Sequence, residues 1–150
     1  MKIFLFILIV LSCMGVFAQN EEAEVQKTIE TFFEGFHKQG SIQIKSAVSS
    51  SIVLQTIATD KEKNAFVKTE DFSAFLKDIA GLPKTISFEE KITGYTIKID
   101  GLMAHAWTTY EFWSNGKFSH CGVNSFQLFN EGSVWKIIYL IDTRRKVGCN

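Results

Sequence analysis

The part of this chain that most limits its possible folds runs from Leu102 to Arg145. Three stretches rich in Trp, Phe, Tyr, Thr, Val and Ile follow one another there, and these residue types favour a pleated, half-buried strand. Asn115-Gly116 and Asn130-Glu131-Gly132 separate the stretches, and such residues tolerate the positive φ of a tight hairpin turn. The pattern therefore predicts three long antiparallel strands over 102–113, 118–129 and 133–142.

The chain before these strands is predicted to cover one face of the sheet with helices. Residues 21–39 form the best helix, because its apolar side chains recur at helical spacing as one stripe, namely Val25, Ile29, Phe32, Phe33 and Phe36. The other predicted elements are a short helix over 41–47, a strand over 50–58, a helix over 70–80 capped by Thr69, and a ribbon over 85–99 kinked at Gly94. Helices followed by a meander of strands predict one α+β domain, a curved sheet lined by the long helix.

Residues 1–18 have the pattern of a secretory signal peptide. Lys2 gives a positive start, an apolar run follows, and Val16-Phe17-Ala18 places small residues before a cleavage site. The apolar run is too short for a comfortable membrane span, so we expect an exported protein, periplasmic or secreted. The mature chain is then a single domain over 19–150 with no transmembrane span. The alternative is a lipoprotein acylated at Cys13, although the residues before it form a poor lipobox.

Charge argues against a nucleic-acid partner. The chain has 16 basic and 16 acidic residues and a formal net charge of zero, with no basic excess gathered on one face. We therefore expect no nucleic acid among its partners.

Two cysteines, Cys121 and Cys149, remain after the predicted cleavage. An exported protein folds in a compartment that permits disulfides. The sequence leaves two alternatives open: a bond between the two, or an unpaired Cys121 that packs as a small hydrophobe.

Alternation of faces along the strand over 118–129 selects candidate ligand-binding residues. Asn124 and Phe126 share a face, and a mixture of polar and large apolar groups is typical of a pocket lining. The preceding strand offers Tyr110 on one face or Trp107 on the other. We favour Tyr110, because the small alanines on its face leave room for a helix or a ligand. The predicted ligand-binding set is thus Tyr110, Trp107, Asn124 and Phe126.

His120 is the predicted catalytic acid or base, because an imidazole titrates near neutral pH. A turn centred on Asn130-Glu131-Gly132 pairs residues whose numbers sum to about 262, which places His120 opposite Asp142 and lets Asp142 orient the ring. A one-residue bulge would break this register. The alternative is an ordinary structural bond between a histidine and a carboxylate. Glu89 and Glu90 are predicted to be solvated charges.

No motif indicates a metal or a cofactor. The three histidines, His37, His105 and His120, lack metal-ligand spacing, and no Cys-x-x-Cys pair accompanies them. The chain also has no glycine-rich phosphate loop and no Gly-x-Ser-x-Gly motif. We therefore predict no metal and no cofactor.

The order of elements, which closes with Trp135-Lys136-Ile137-Ile138, resembles the nuclear-transport-factor-2-like superfamily. This superfamily includes ketosteroid-isomerase-like and polyketide-cyclase-like domains, and the resemblance covers residues 22–145. The segments 120–126 and 142–145 look like an exported bacterial subgroup without an assigned activity. The resemblance implies a cone-shaped, curved antiparallel sheet wrapped around the long N-terminal helix. It also implies an apolar pocket at the wide end and a homodimer formed through the outer sheet face.

The same resemblance does not supply a mechanism. Ketosteroid isomerases use an Asp base that faces a Tyr and a protonated Asp. Tyr110 matches the Tyr, but the strands over 102–113 and 118–129 contain no Asp. Dehydratase-like members use a His with a carboxylate, for which His120 and Asp142 are the matching residue types.

Three functions stay open. The first is an exported, non-enzymatic domain that binds a small, partly apolar ligand or another protein. The second is a small isomerase, cyclase or dehydratase that uses His120 as its acid or base. The third is a structural dimer in which the chain's own aromatic side chains, among them 14 Phe, fill the cone.

Overall fold

The computed structural model describes the backbone of residues 2–149 and the side chains of residues 20–149, so the predicted signal peptide lies outside the described side chains. The elements in chain order are α1 (Lys2–His37), α2 (Ser41–Ala47), β1 (Val48–Thr59), β2 (Ala65–Glu70), α3 (Phe72–Gly81), β3 (Phe88–Asp100), β4 (Met103–Ser114), β5 (Lys117–Glu131) and β6 (Val134–Arg145). The α+β class is confirmed. None of the helices in the described part of the chain offers an apolar stretch long enough to cross a membrane.

One curved, unclosed sheet contains all six strands in the order β2-β1-β6-β5-β4-β3. Strands β3 to β6 form the predicted antiparallel meander. Strand β1 pairs with β2 in antiparallel fashion but with β6 in parallel fashion. The sheet is therefore mostly antiparallel, with one parallel pair that the local sequence pattern did not indicate.

A short strand, β2, precedes α3, so the helix begins two residues later than predicted. Thr69, predicted as the helix cap, lies in β2 and pairs with Gln55. The cap is Asp71, whose carboxylate accepts a hydrogen bond from the Ala74 N–H at 2.8 Å. An Asp in this position satisfies one of the unpaired N–H groups of the first helical turn.

The first hairpin turn lies where it was predicted, whereas the second does not, and the register predicted around the second turn was wrong. Asn115 and Gly116 have φ of 50° and 72°, so this turn is confirmed. The second turn is Gly132-Ser133 rather than Asn130-Glu131-Gly132, and it changes the pairing by three residues. A bulge after Gln127 adds one more. Asp142 therefore pairs with Asn124, and the predicted pairing with His120 was wrong.

The core lies where α1 crosses one end of the concave sheet face. The apolar side chains that fill this end are almost fully buried, namely Val25, Ile29, Phe33, Ala104, Ala106, Phe126, Leu128 and Ile137. The ring of Phe126 is 0% exposed and meets the Phe33 ring edge-on at 6.1 Å. Phe126 is therefore a core residue, and the prediction that it lines a ligand pocket was wrong because α1 covers its position.

Cys121 and Cys149 are joined by a disulfide, which decides between the two alternatives left open by the sequence. Cys121 lies in β5, and Cys149 lies after the end of β6. The bond therefore ties the segment that follows β6 back onto the sheet.

Candidate functional site

The other end of the concave face carries polar side chains from neighbouring strands. Residues that are paired across strands project from the same face of a sheet. One row consists of Thr108, Asn124, Asp142 and Thr56. The next row consists of Tyr110, Gly122 and Arg144. A third row consists of Glu90, Phe112 and His120.

A cleft opens between these rows and the helices α1 and α3. Its inner part has a volume of about 90 Å³ and its outer part about 280 Å³. The residues that line both parts are Phe36, Glu70, Phe75, Glu90, Asp142 and Arg144. The Phe36 and Phe75 rings stack 6.1 Å apart. The cleft therefore has aromatic walls from the helices and a polar floor from the sheet.

Glu90 is the buried carboxyl of this floor. Its carboxylate accepts a hydrogen bond from the Asn124 side-chain amide at 2.7 Å. Burial raises the pKa of Glu90 from 4.5 to about 7; Asp142 adds to the rise, and the Asn124 hydrogen bond and Arg144 oppose it. Part of the residue reaches solvent, but the carboxyl lies deep in the cleft. Near neutral pH it can therefore either give or take a proton.

The prediction that Glu90 is a solvated charge was wrong, and the sequence did contain a signal against it. Phe88, Glu90 and Ile92 are alternate residues of β3 and share the concave face. A carboxylate between two apolar residues of one strand face is a candidate for burial. A bulge before Gly94 obscured this pattern in the sequence. Before the bulge the even-numbered residues up to Ile92 face inward, and after it the odd-numbered residues from Tyr95 do.

Asp142 and Arg144 form the second charged part of the floor. The Arg144 Nε–H donates to the Asp142 carboxylate at 2.9 Å, and the Asp142 side chain is only 13% exposed. The Tyr110 hydroxyl donates to the Thr143 carbonyl oxygen at 2.8 Å and lies 3.5 Å from the Asp142 carboxylate. Burial, followed by the negative charges of Glu90 and Asp142, raises the pKa of Tyr110. Its hydroxyl therefore stays protonated.

Tyr110 reaches from β4 to β6 because the residue between them on β5 is Gly122. A Cβ at Gly122 would lie 2.7 Å from both Cε1 and the hydroxyl of Tyr110, and it would also collide with the Thr143 carbonyl oxygen. Any larger residue at this position would therefore displace the tyrosine ring.

His120 lies at the outer part of the cleft. Its ring stacks on Phe112 with centroids 4.8 Å apart, and its Nδ1 lies 3.1 Å from the Ser119 hydroxyl. Burial lowers the pKa of His120, and the positive charge of Arg144 lowers it further. Its hydrogen bond goes to Ser119, so the structure does not form the predicted orienting contact with Asp142. A catalytic role for this pair stays a prediction.

The predicted ligand-binding residues divide between the two sheet faces. Tyr110 and Asn124 lie on the concave face, and Asn124 lines the inner cleft. Trp107 pairs with Ser125 on the opposite face and is 48% exposed. Its assignment to the pocket was wrong, because Trp107 and Tyr110 project from opposite faces of β4. The binding roles of Tyr110 and Asn124 stay predictions.

The described side chains are those of residues 20–149. No group of three or more His, Cys, Asp or Glu side chains in that part of the chain is placed to hold a metal ion.

Comparison with known proteins shows a shared fold at low sequence identity. No family model matches the chain, and no curated protein matches it either. A protein of unknown function from Shewanella baltica, described as nuclear-transport-factor-2-like, matches with a TM-score of 0.61 and 15% identity over 85% of this chain and 95% of its own. One from Novosphingobium aromaticivorans, described as having a cystatin-like fold, matches with a TM-score of 0.69 and 9% identity over 91% and 90%. A proposed dehydratase from Streptomyces avermitilis matches with a TM-score of 0.66 and 12% identity over 87% and 99%.

Proposed function

We propose that this chain, which has the nuclear-transport-factor-2-like fold, binds a small, partly apolar ligand in the cleft between its helices and its concave sheet face. The observation that carries the proposal is an aromatic-walled cleft with a carboxyl of pKa about 7 at its floor. Mostly apolar pockets with a few convergent polar groups are the usual small-molecule sites. A strongly perturbed titratable group in such a cleft supports a functional role.

The volume of the cleft limits the size of the ligand. The outer part, about 280 Å³, is near the lower end of ligand pockets in proteins. The stacked Phe rings narrow the space but leave it open, which argues against a cone filled entirely by its own side chains. We infer a ligand on the order of one substituted ring in size.

The test is an NMR titration of the protein with benzyl alcohol, together with native mass spectrometry for a co-purifying ligand. We expect shift changes around Phe36, Phe75 and Asn124. Leu140→Trp should abolish them, because Leu140 lines the inner cleft and the larger ring would fill it. Trp107→Leu on the outer face is the matched control and should leave them unchanged. Shift changes confined to the outer face would contradict the proposal.

A second candidate function, acid–base catalysis, is favoured by the pKa of Glu90. A small isomerase or dehydratase needs a group that takes a proton from carbon near neutral pH and returns it elsewhere. In place of His120, we propose Glu90 for this role, because its carboxyl lies deeper and titrates at about 7. Incubation with 2-tetralone in D2O tests the idea. Deuterium should enter next to the carbonyl faster with the wild-type protein than with Glu90→Gln, and equal rates would exclude catalysis at Glu90 for this probe.

Export is proposed from two features. The pattern of residues 1–18 favours a cleaved leader, and the disulfide between Cys121 and Cys149 suits an oxidising compartment. Intact mass of the protein recovered outside the cytoplasm should correspond to 132 residues, since 150 − 18 = 132. Retention of the leader, or a lipid-modified Cys13, would contradict cleavage after Ala18.

A homodimer through the outer sheet face is also proposed. Apolar side chains stand exposed on that face, namely Val53, Ile57, Met103 and Trp107. Exposed apolar side chains gathered on one face mark candidate interaction surfaces. Sedimentation of the purified protein at two concentrations tests this, and a monomer at both would contradict it.

A further inference from the structure

The charges that line the outer cleft are strongly unbalanced. Four carboxylates line it, namely Glu70, Asp78, Glu90 and Asp142, and Arg144 is the one cation among its lining residues in the described part of the chain. Glu70 is salt-bridged to Lys68 at 2.7 Å, so the excess negative charge lies with Asp78, Glu90 and Asp142. Arg144 is already hydrogen-bonded to Asp142. Glu90 receives its hydrogen bond from the neutral Asn124 amide rather than from a cation. A buried carboxylate without a directly bonded cation is unfavourable, and Arg144 alone does not balance the negative charge of the floor.

The inner cleft also offers acceptor atoms. Thr56 lines it, and the Thr56 hydroxyl oxygen beneath the cleft surface is inaccessible to solvent and has no hydrogen-bond partner. Thr56 pairs with Asp142 across the parallel strands and therefore shares its row. An ammonium group has three N–H donors and no acceptor, so carboxylate oxygens and a hydroxyl oxygen complement it. An anionic ligand would instead meet oxygens that repel it.

The aromatic walls suit the same class of ligand. Phe36, Phe75 and Phe112 line the outer cleft, and the Phe36 and Phe75 rings stack on each other. The negative face of an aromatic ring attracts an organic cation, and a desolvated site strengthens this attraction. Phenyl rings also bury the apolar part of a small amine.

We propose that the cleft selects small organic cations, namely primary amines attached to one apolar ring. This inference rests on the proposed ligand-binding function and names the class of ligand for the same site. The ammonium group lies at the floor beside Glu90 and Asp142, and the ring lies against the phenylalanine walls. Neutral alcohols of the same shape bind more weakly, and carboxylates bind most weakly.

Proton release accompanies binding, because Glu90 must ionise to pair with the cation. The groups that face this carboxyl or its backbone are Asn124, Thr108, Tyr110, Asp142, Arg144, His120, Glu70, Asp78 and His37. Burial lowers the pKa of both His37 and His120. The imidazoles are therefore neutral at pH 7, and His37 accepts a hydrogen bond from the Glu90 backbone N–H at 2.9 Å. Affinity for an amine should therefore rise with pH as Glu90 loses its proton.

The test uses three probes of matched shape, benzylammonium, benzyl alcohol and benzoate, titrated by NMR at pH 6 and pH 8. We expect benzylammonium to bind about tenfold more tightly than benzyl alcohol at pH 8. Benzoate should bind most weakly. The preference for benzylammonium should fall about tenfold at pH 6, because a group of pKa about 7 is then mostly protonated.

Two variants that each remove one negative charge distinguish the effect of the cleft carboxylate from the effect of net charge on amine binding. Glu90→Gln should abolish the preference for benzylammonium while benzyl alcohol still binds. Glu89→Gln should retain the preference, because Glu89 does not line this cleft. If Glu90→Gln fails to fold, titration of the wild-type protein with the three probes still tests the preference for a cation.

The outcomes separate this inference from the function on which it rests. Equal binding of benzylammonium and benzyl alcohol in the cleft would overturn the cation preference and leave the ligand-binding function standing. Tightest binding of benzoate would overturn it as well and assign the dominant role to Arg144. Failure of all three probes to bind the cleft would overturn both proposals.

Discussion

The two ends of the concave face are made by the same strands and differ in what α1 places over them. Phe126 and Asn124 are two residues apart on β5 and face the same side. Phe126 lies in the core beneath Phe33, whereas Asn124 binds the Glu90 carboxylate at the floor of an open cleft. The difference shows that the sheet face on which a side chain lies does not by itself distinguish a core position from a site position. The helix that covers the strand makes that distinction.

The filled end stabilises the fold and the open end opposes it. Burial of apolar side chains at the filled end supplies the favourable free energy of folding. At the open end, burial raises the pKa of Glu90 to about 7, so the charged form that Glu90 takes at high pH is unfavourable for folding. Functional sites commonly keep such groups despite their effect on stability.

Phe126→Ala should have the largest effect on stability, because it leaves a cavity at the filled end. We expect a loss of about 4 kcal/mol in the free energy of unfolding, measured by urea denaturation. Phe118→Ala is the matched control, since Phe118 is 42% exposed, and its loss should be far smaller. Similar losses for both variants would remove the distinction between the buried and exposed positions.

Gly122→Ala should have the next largest effect, because the new methyl group collides with Tyr110 and with the Thr143 carbonyl oxygen. We expect a loss of about 3 kcal/mol in the free energy of unfolding and a displaced Tyr110 ring, seen by NMR. In Gly81→Ala a Cβ meets nothing within 4 Å, so that variant should lose little. A Gly122→Ala protein as stable as the wild type would show that the tyrosine does not need this gap.

Glu90→Gln should increase stability at pH 8 by about 2 kcal/mol and have little effect at pH 5. The folded-state pKa of about 7 lies above the unfolded value of 4.5, so the folded state binds the proton more tightly. Wild-type stability from this group is therefore full below about pH 4.5 and is lost as pH rises through about 7.

Thermal or urea unfolding of Glu90→Gln and the wild type across pH 5 to 8 measures this difference. Glu89→Gln is the control, because its partly exposed carboxylate salt-bridges Lys91 at 3.7 Å on the surface. A constant difference between Glu90→Gln and the wild type at all pH values would contradict the assigned pKa.

Trp107→Ser should have the smallest effect on the stability of a single chain, about 0.5 kcal/mol or less, because its side chain is on the outer face. Cleft binding of benzyl alcohol should be unchanged. If the outer face joins two copies, the same variant should shift the mass in sedimentation toward the monomer. Loss of cleft binding would contradict the separation of the two sheet faces.

The sequence predicted the parts of this molecule that depend on local chemistry. Asn115-Gly116 supports positive φ at both positions, so that hairpin could be read directly. The alternation along β5 placed Asn124 and His120 on the correct face. The parallel pairing of β1 with β6 could not be predicted in this way, because it joins distant segments without a local signal.

The site was less predictable than the fold because it depends on register. One shifted turn and one bulge moved the partner of Asp142 from His120 to Asn124. Glu90 then became the group beside Asn124, although β3 lies two strands away from β5 in the sheet. Contacts that cross strands follow the curvature of the sheet, and alternation along one strand does not describe that curvature.

The position of β6 in the sheet has a consequence for the order in which the molecule can form. β6 is the last strand of the chain, yet it lies between β1 and β5. β1 and β2 therefore cannot join the rest of the sheet until β6 is present, and a two-stranded ribbon by itself is marginally stable in water. The sheet is completed only when nearly the whole chain has been made.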